Sequence, residues 1–534
     1  MKPEKYYDVP ELRTLREIIE YGTNRGADKK QFMYTDRDGE VRSVTFNETW
    51  QKLRALGSYL LSLGLNGKKI AILSENSYEW IVAYYAVLVS GNIAVPLDSK
   101  LDIAELNHQL SHCVVDGIFF SEKYEKKVQA LGELIPEHAF PIAQLPDLIE
   151  AGEALDKTAF DTLTIHPDDL ACIVYTSGTT AKSKGVMLSH GNVTADVVAS
   201  CRVMKGGHAI GFLPLNHTYS WVGALFSGYI LAEWGYICPS LKTISDDIKT
   251  YKPQNFSAVP LVVETIYDRI WRTARKTGKD VVLQKGIRIS RFLRKIGIDR
   301  RRKLFKTIHD QLGGNLEMIV CGGAALDPAQ EQFMQDIGIT VINGYGITEC
   351  SPAVTCNRVN NFKPGSVGLP LPCNEIKIHD PDDEGVGEIY VRGANVMVGY
   401  YNDPEATAAA FDGDWFRTGD FGRIDEDGFL FFVGRKKNLI VLANGKNVSP
   451  EELEDRLSRI SYVKEVLVYE EGKKITAEFF LDEEVTDAKE RLKADVDAVN
   501  NTLPPFKRIR KTVVRDTEFP KTTTLKLIRS NRDA

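Results

Sequence analysis

Apolar and polar residues alternate in blocks along the first part of the chain, with spacings typical of helices and strands. Residues 50–63 have the amphipathic period of a helix, and the apolar run 69–73 predicts a buried strand. Residues 80–90 predict a second helix and residues 93–96 a second strand. Helices that alternate with apolar strands favour a parallel sheet covered by helices.

The pattern changes after about residue 364, where short β-like runs such as 387–393 and 428–433 lie between Gly and Asp turns. A charged turn at 434–438 leads into two further strands near 463–469 and 475–481 and a helix near 489–503. We therefore predict an α/β fold. A large N-terminal domain of parallel α/β sheets plus a small β subdomain spans 1–436, and a small mobile C-terminal α+β domain spans 437–534.

Composition excludes several classes of protein. The chain has 534 residues, of which 43% are hydrophobic and 26% charged, so disordered and fibrous classes are excluded. A net charge of −6 argues against a nucleic-acid binder, and the first residues show no signal-peptide pattern, so we predict a cytoplasmic protein. The eight cysteines contain no C-x-x-C pair and are predicted to be reduced core residues.

Three segments have more than one interpretation. The apolar runs 81–97 and 221–237 are interrupted by polar residues or too short for membrane spans, so both are predicted to be buried core. The second run has the alternative role of lining an apolar substrate channel. The basic stretch 285–306 is a solvated helix face, a contact with an anionic membrane surface, or a site for the phosphates of coenzyme A.

The run 175–186 follows the apolar run 170–174, which predicts a buried strand, and precedes a helix-like stretch after 189–192, so a loop between a strand and a helix is expected. This run combines hydroxyls, glycine and two lysines, which suits a loop that binds a polyphosphate. It does not fit the P-loop pattern, which needs glycine before the lysine and a hydroxyl after it. Taken alone, such a run could also be a solvated loop. The predicted phosphate-binding residues are Thr176, Ser177, Gly178, Thr179, Thr180, Lys182 and Lys184.

This run resembles the phosphate loop of the adenylate-forming (AMP-binding) superfamily, whose usual form is Y-T-S-G-T-T-G-x-P-K-G-V. Here Ala181 replaces Gly and Ser183 replaces Pro. Residues 343–349 resemble Y-G-x-T-E, residues 415–420 resemble W-[FY]-x-T-G-D, and residues 520–529 resemble P-K-T-x-[ST]-G-K-x-x-R with Leu525 for Gly. The sequence of residues 443–452 resembles the corresponding segment of the bacterial long-chain fatty acid CoA ligases.

The resemblance implies a site for ATP, Mg²⁺ and coenzyme A. Thr348 is expected at the α-phosphate, and Glu349 offers a hard oxygen ligand for Mg²⁺. The segments expected against adenine contribute Gly322, Gly323, Ala324, Tyr345 and Gly346.

The remaining motifs imply residues for the ribose, the acyl group and domain motion. Asp420 is expected to bind the ribose hydroxyls with help from Arg435, and His217 is the candidate gate of the acyl site. Lys526 is expected to bridge the substrate carboxylate and the α-phosphate. The hinge of the small domain is predicted at Lys437, and the channel for the CoA thiol beside Gly445.

The function that this resemblance implies is an AMP-forming acid-thiol ligase that converts a medium- or long-chain fatty acid to acyl-CoA through acyl-AMP. No aspartate for an amino group stands beside His217, which argues for an acid without an α-amine. Two alternatives remain open: an acyl-AMP ligase that loads an acyl carrier protein, and a non-catalytic acyl-nucleotide binding protein. The expected partners are otherwise small molecules, with peripheral membrane contact as an open alternative.

Overall fold

The computed structural model describes residues 6–176, 183–239, 242–442, 447–482, 484–521, 527 and 529. The chain divides into two compact units. One comprises Met1–Glu375 with Val391–Phe416, and the other comprises Ile376–Tyr390 with Arg417–Ala534. The predicted boundary between 436 and 437 concerns which part moves, and it stays a prediction.

Two large sheets form the first unit. The nine-stranded sheet has six parallel strands in its centre and antiparallel strands at both ends. Its strands, in spatial order, are Leu369–Pro370, Ala353–Cys356, Thr340–Gly346, Met318–Cys321, Asn255–Ala258, Ala209–Gly211, Gly235–Ile237, Lys30–Thr35 and Val41–Thr45.

The second sheet of this unit has seven strands, five of them parallel. Ile70 to Leu73 are fully buried, because helices cover both faces of a parallel sheet and leave no solvent side for alternating polar residues. The strands, in spatial order, are Gly399–Tyr400, Lys184–Ser189, Leu170–Thr176, Ile93–Pro96, Lys69–Leu73, Gly117–Phe120 and His138–Pro141.

Helices between these strands complete the first unit. Phe46–Ser62 begins with a capping box, in which Thr45 and Glu48 each accept a hydrogen bond from the other's backbone N–H. The helices are Leu15–Gly26, Phe46–Ser62, Tyr78–Val89, Ile103–Cys113, Glu125–Gln129, Leu145–Glu153, Thr158–Asp161, His190–Val203, Thr218–Ser220, Ser227–Leu231, Ile244–Tyr251, Pro260–Lys276, Asp280–Lys295, Arg301–Leu304, Lys306–Gln311, Pro328–Ile337 and Pro404–Ala410, with a π-helical turn at Trp221–Phe226.

The second unit contains its own core. Val463–Glu471, Lys474–Leu481 and Lys511–Arg515 form a three-stranded sheet, and Leu453, Phe479 and Leu492 are buried in one cluster with the helices Pro450–Leu457 and Ala488–Asn501. Other strands that lie mainly or wholly in this unit are Asn374–His379, Gly387–Gly393, Trp415–Ile424, Leu430–Arg435, Ile440–Val441 and Asn447–Val448.

These elements confirm the predicted α/β fold with a small β subdomain and a C-terminal α+β segment. The run 81–97 is core, since Tyr78–Val89 is buried along nearly its whole length. Among the described residues, no helix is long and apolar enough to cross a bilayer. All eight cysteines are free thiols, seven of them buried, as predicted.

One local expectation was wrong. The phosphate loop was expected between a strand and a helix, but the strand Lys184–Ser189 intervenes. It pairs antiparallel with Leu170–Thr176, so 177–182 connect two neighbouring strands of one sheet. The helix His190–Val203 starts only after this second strand, with Ser189 as its N-cap. Lys184 to Leu188 were missed because a short strand of mixed polarity gives little periodic signal.

A buried carboxyl group connects this helix to the turn after Glu349. Asp196 is fully buried, and its Oδ1 accepts hydrogen bonds from Asn395 Nδ2 at 2.8 Å and from the Ala353 N–H at 3.2 Å. Asn395 also donates to the Cys350 carbonyl at 2.8 Å. Burial raises the pKa of Asp196 to about 8, so the group is mainly protonated at neutral pH.

We expect Asp196→Asn to flatten the dependence of stability on pH. The pKa of the folded carboxyl lies above its unfolded value of 3.8, so between about pH 4 and about pH 8 only the folded chain holds this proton. Stability therefore falls as pH rises, by up to about 1.4 kcal/mol per pH unit. Asparagine has the shape of the protonated acid and does not titrate. Unfolding midpoints of both proteins, measured across this range, should diverge in the variant's favour as pH rises. A constant difference would contradict the account.

Candidate functional site

The ends of the predicted phosphate loop are fixed by strand pairing. Thr176 ends one strand and Lys184 begins the next, and the two residues lie opposite each other in the ladder. The loop residues Ser177, Gly178, Thr179, Thr180 and Lys182, like Gly445 and Lys526 elsewhere, lie outside the described residues. The described structure therefore places the base of the loop.

A third segment lies against this base. Gly399–Tyr400 pairs antiparallel with Lys184–Ser189, so that Tyr400 lies opposite Val186. The next N–H, of Tyr401, donates to the Gly185 carbonyl at 2.8 Å. A Cβ on Gly185 would lie 2.9 Å from Ile173 Cγ2, so the close packing of these strands requires glycine there.

Tyr400 contacts two of the predicted site residues at once. Lys184 Nζ lies 4.8 Å from the centroid of its ring, a cation–π distance. The Tyr400 hydroxyl donates to Glu349 Oε1 at 3.0 Å. Burial and the neighbouring Glu349 carboxylate raise the pKa of Tyr400, so its hydroxyl keeps the proton that it donates. The predicted phosphate lysine and the predicted metal ligand therefore meet on one aromatic side chain.

The Glu349 backbone is held from both sides. Thr348–Cys350 forms a single 3₁₀ turn, and the Met397 N–H donates to the Glu349 carbonyl at 2.8 Å. Before this turn, a Cβ on Gly346 would lie 2.3 Å from the Pro352 carbonyl oxygen. Glycine at 346 is thus required by the tight hairpin between Thr340–Gly346 and Ala353–Cys356, a local reason that the motif alone does not reveal.

The residues expected against adenine lie near one another at strand ends. Gly322 is buried, and Cβ at this position would lie 3.4 Å from the Gly344 carbonyl oxygen, whereas Gly323 and Ala324 are exposed. Tyr345 is 8% exposed. Gly323 has a φ of 89°, which favours glycine. The structure thus brings together two motifs that are distant in sequence, at the carboxyl ends of two neighbouring parallel strands of the nine-stranded sheet.

His217 lies in sequence between residues that line an apolar cavity, but it is not itself among the lining residues. It is half-buried and immediately precedes the short helix Thr218–Ser220. The cavity is a partly open cleft of about 490 Å³, a volume that includes open solvent, and its lining includes residues on both sides of His217 in sequence. Most of its lining side chains are apolar, among them Ile81, Phe212, Leu213, Leu215, Leu225 and Ile237.

The second unit holds the predicted ribose residues. Asp420 is 3% exposed and lies opposite Arg435 in the ladder, with Arg435 Nε 3.4 Å from Asp420 Oδ1. The Asp420 N–H donates to Thr418 Oγ1 at 3.0 Å, which fixes the turn at the motif. Two residues beyond Arg435, partial burial and the Arg435 guanidinium lower the pKa of Lys437. Asp420 and Arg435 thus lie beside each other, and their role at the ribose stays a prediction.

A metal ion bound by the described residues would have few protein ligands. Among the described residues, no group of three or more His, Cys, Asp or Glu side chains could hold a metal ion. Mg²⁺ is commonly held by one or two carboxylates together with substrate phosphates and water. Glu349, with one carboxylate oxygen fixed by Tyr400, fits that arrangement.

Sequence reasoning missed the residues that hold the loop's second end. Ser183 Oγ donates to Glu105 Oε1, and Gln109 Nε2 donates to Ser183 Oγ at 3.3 Å. His108 Nε2 lies 3.4 Å from the Ser183 carbonyl oxygen. Glu105, His108 and Gln109 project from the helix Ile103–Cys113, which carries no recognisable motif. Their only signal was the replacement of the usual proline by Ser183.

The comparisons with known proteins identify the family. The model of the AMP-binding enzyme family matches residues 20–401, and that of the AMP-binding enzyme C-terminal domain matches residues 437–533. The first match covers more than half of the chain, so the chain belongs to the AMP-binding enzyme family. The chain is therefore an adenylate-forming acyl-CoA ligase, which is an AMP-forming acid-thiol ligase.

Individual proteins are similar over most of their length. Long-chain-fatty-acid CoA ligase FadD15 of Mycobacterium bovis is 31% identical over 465 residues, which is 82% of this chain and 76% of that protein. The anthranilate CoA ligase AuaEII in complex with anthranoyl-AMP has the same fold, with a TM-score of 0.78 over 98% of this chain and 96% of that one, at 22% identity. O-succinylbenzoate CoA synthetase (MenE) of Bacillus subtilis, in complex with ATP and magnesium ion, gives 0.76 over 96% and 98%, at 24% identity.

We expect the contacts of Ser183 to support ATP binding. Glu105→Ala removes its main partner and should raise the KM for ATP about fivefold, which corresponds to a hydrogen bond of about 1 kcal/mol. Ser183→Pro restores the residue usual in the family and fixes φ without any side-chain partner. The KM of Ser183→Pro should be near that of the wild type.

The double variant separates this role from a general defect. In the Ser183→Pro background, Glu105→Ala should have no further effect on the KM for ATP, measured by pyrophosphate release. An equal effect in both backgrounds would show that Glu105 acts through its own helix and not through Ser183.

Proposed function

We propose that this ligase activates a medium- or long-chain fatty acid with ATP and transfers the acyl group to coenzyme A. The observation that carries the choice of acid is the apolar lining of the cavity that Leu215 and Ser220, on either side of His217 in sequence, help to form. The similarity to a relative named for long-chain fatty acids supports the same choice.

The first half-reaction joins the acid to AMP. A carboxylate oxygen attacks the α-phosphorus of ATP, an O–P bond forms, and the bond to the β-phosphate oxygen breaks to release pyrophosphate. Lys184 and the hydroxyls at the loop, including Thr176, bind the departing phosphates, and Thr348 donates to the α-phosphate. Lys526, in its predicted role, neutralises the charge that develops between carboxylate and phosphate. Mg²⁺, when bound at Glu349, supplies further neutralisation of the phosphate oxygens.

The second half-reaction forms the thioester. The CoA sulfur attacks the acyl carbonyl, the C–O bond to AMP breaks, and the thiol proton passes to solvent. In our proposal the segment after 436 turns about Lys437, which withdraws Lys526 and brings Gly445 to the thiol. Asp420 and Arg435 keep the ribose in place, since their strand pairing joins them within one unit.

The cavity favours an acid with an apolar chain over an amino acid. Among the described residues its lining contains no ionised side chain, and an ammonium group buried there would lack a partner. A carrier protein as acyl acceptor remains the second candidate, because the same acyl-AMP would serve it. Assays that offer either CoA or an acyl carrier protein as the acyl acceptor distinguish the two candidates.

We expect specificity to rise with the chain length of the acid. Each added methylene should contribute up to ~0.8 kcal/mol of transfer free energy, or roughly fourfold in kcat/KM, until the cavity is filled. A panel of saturated acids from acetate upwards, assayed with ATP and CoA by pyrophosphate release and acyl-CoA mass, measures this. Acetate and amino acids are the matched poor substrates.

Two outcomes would count against the proposal. A flat profile, or a preference for acetate, an amino acid or an aromatic acid, would remove the fatty-acid assignment while the adenylation remained. Pyrophosphate release without acyl-CoA, restored by an acyl carrier protein, would replace CoA with the carrier as acceptor.

A further inference from the structure

The helix Asp280–Lys295 exposes an unusual amount of apolar surface. Fourteen large hydrophobic side chains are exposed among the described residues of the whole chain, and seven of them lie between 281 and 304. Five of these form what we term the apolar stripe: Val281, Val282, Ile289, Phe292 and Ile296, each 50 to 65% exposed. From Val282 onward the spacings are seven, three and four residues, and adjacent Val281 lies about 100° from Val282, so all five fall within one face about 100° wide.

The opposite face of this helix packs against the rest of the first unit. Leu283 is buried, and Ser290 Oγ donates to the Asp336 carbonyl at 2.8 Å. Arg291 Nε donates to the Asp336 carboxylate at 2.8 Å. A Cβ on Gly286 would lie 3.2 Å from the Phe305 ring, so the helix approaches closely there. With its inner face held, the apolar stripe is directed to the outside.

Positive charges surround the apolar stripe without acidic partners. Some cations of this region are already paired, as Arg291 is with Asp336 and Arg301 with Asp299. Arg294 acts electrostatically on Asp299, and Arg302 donates to backbone carbonyls. Apart from these two, five others between 285 and 306 are exposed and lie within 4.0 Å of no acidic side chain in the described residues. These are Lys285, Arg288, Lys295, Arg300 and Lys303. They stand out in a chain whose net charge is −6.

We propose that this face of the first unit docks on an anionic lipid bilayer, with the apolar stripe in the interfacial region and the five free cations at the headgroups. A helix that lies in the membrane plane combines apolar side chains on one face with Lys and Arg beside them. The phosphates of CoA would use the cations but leave Phe292 and Ile289 in water. The bilayer accounts for both observations.

This inference is independent of the proposed acid. Vesicle binding is tested with the full chain, by flotation with vesicles of phosphatidylcholine alone and of phosphatidylcholine with about 30% phosphatidylglycerol. The chain should float with the anionic vesicles, and raising the salt from about 0.1 M to about 0.5 M should weaken binding. Each surface cation contributes roughly fivefold to the partition coefficient.

Two variants and one control examine the surface. The double variant Arg288→Glu with Lys295→Glu should lower the partition coefficient at least ~25-fold. The double variant Ile289→Ser with Phe292→Ser should abolish flotation. Lys29→Glu with Val41→Ser makes the same kinds of change at exposed positions elsewhere and should float as the wild type does. Equal unfolding midpoints show that the variants are folded.

Insertion has its own readout. The chain has six tryptophans, so the readout is the difference in emission between Phe292→Trp and the wild type. This difference emission should shift to shorter wavelength on anionic vesicles and be quenched by lipids brominated in the acyl chain. No flotation with anionic vesicles, or equal flotation of the surface variants and the wild type, would overturn the proposal. Self-association that the same variants abolish, without vesicle binding, would assign the face to a second copy and also overturn it.

Discussion

The contact of Tyr400 with both Lys184 and Glu349 is the interaction on which the proposed chemistry depends. Lys184 is one of the two predicted phosphate-binding lysines, and Glu349 is the predicted magnesium ligand. The ring of Tyr400 faces the first, and its hydroxyl is bonded to the second. A nucleotide whose phosphates carry a metal ion needs a cation and a carboxylate at fixed positions, and one rigid side chain supplies that positioning.

Strand pairing explains why Tyr400 lies there. The strand Gly399–Tyr400 is only two residues long, yet its ladder with Lys184–Ser189 sets its register. From the other direction, the Met397 N–H fixes the Glu349 carbonyl, and buried Asp196 fixes the turn that follows. The site in the first unit is therefore built from three chain segments that are far apart in sequence, held by backbone hydrogen bonds and by the Asp196 side chain.

The sequence predicted the long periodic elements well. The strands 69–73 and 93–96 have the predicted bounds, because continuous apolar runs between turns leave few alternatives. Asp420 and Arg435 come from separate motifs, and strand pairing places them opposite each other. Motifs record residue types that the chemistry requires, so these positions were accessible without a structure.

Residues that act through geometry were not accessible in this way. Tyr400 and Glu105 belong to no motif, and their roles come from tertiary contacts with Glu349 and Ser183. The reason for Gly346 was likewise a close hairpin backbone, which periodicity does not encode. From sequence alone, Asp280–Lys295 is an ordinary amphipathic helix, and only the structure shows that the apolar stripe is on its exposed face.

The most direct test of the central claim is a Mg²⁺ titration of acid-dependent pyrophosphate release by the wild type and Tyr400→Phe. Phenylalanine keeps the ring against Lys184 and removes the hydroxyl that fixes Glu349. Loss of such a supporting hydrogen bond commonly costs at least ~10-fold in metal affinity, so the half-saturating Mg²⁺ concentration should rise by about that factor. The KM for ATP at saturating Mg²⁺ should stay near the wild-type value. An unchanged Mg²⁺ requirement would contradict the account.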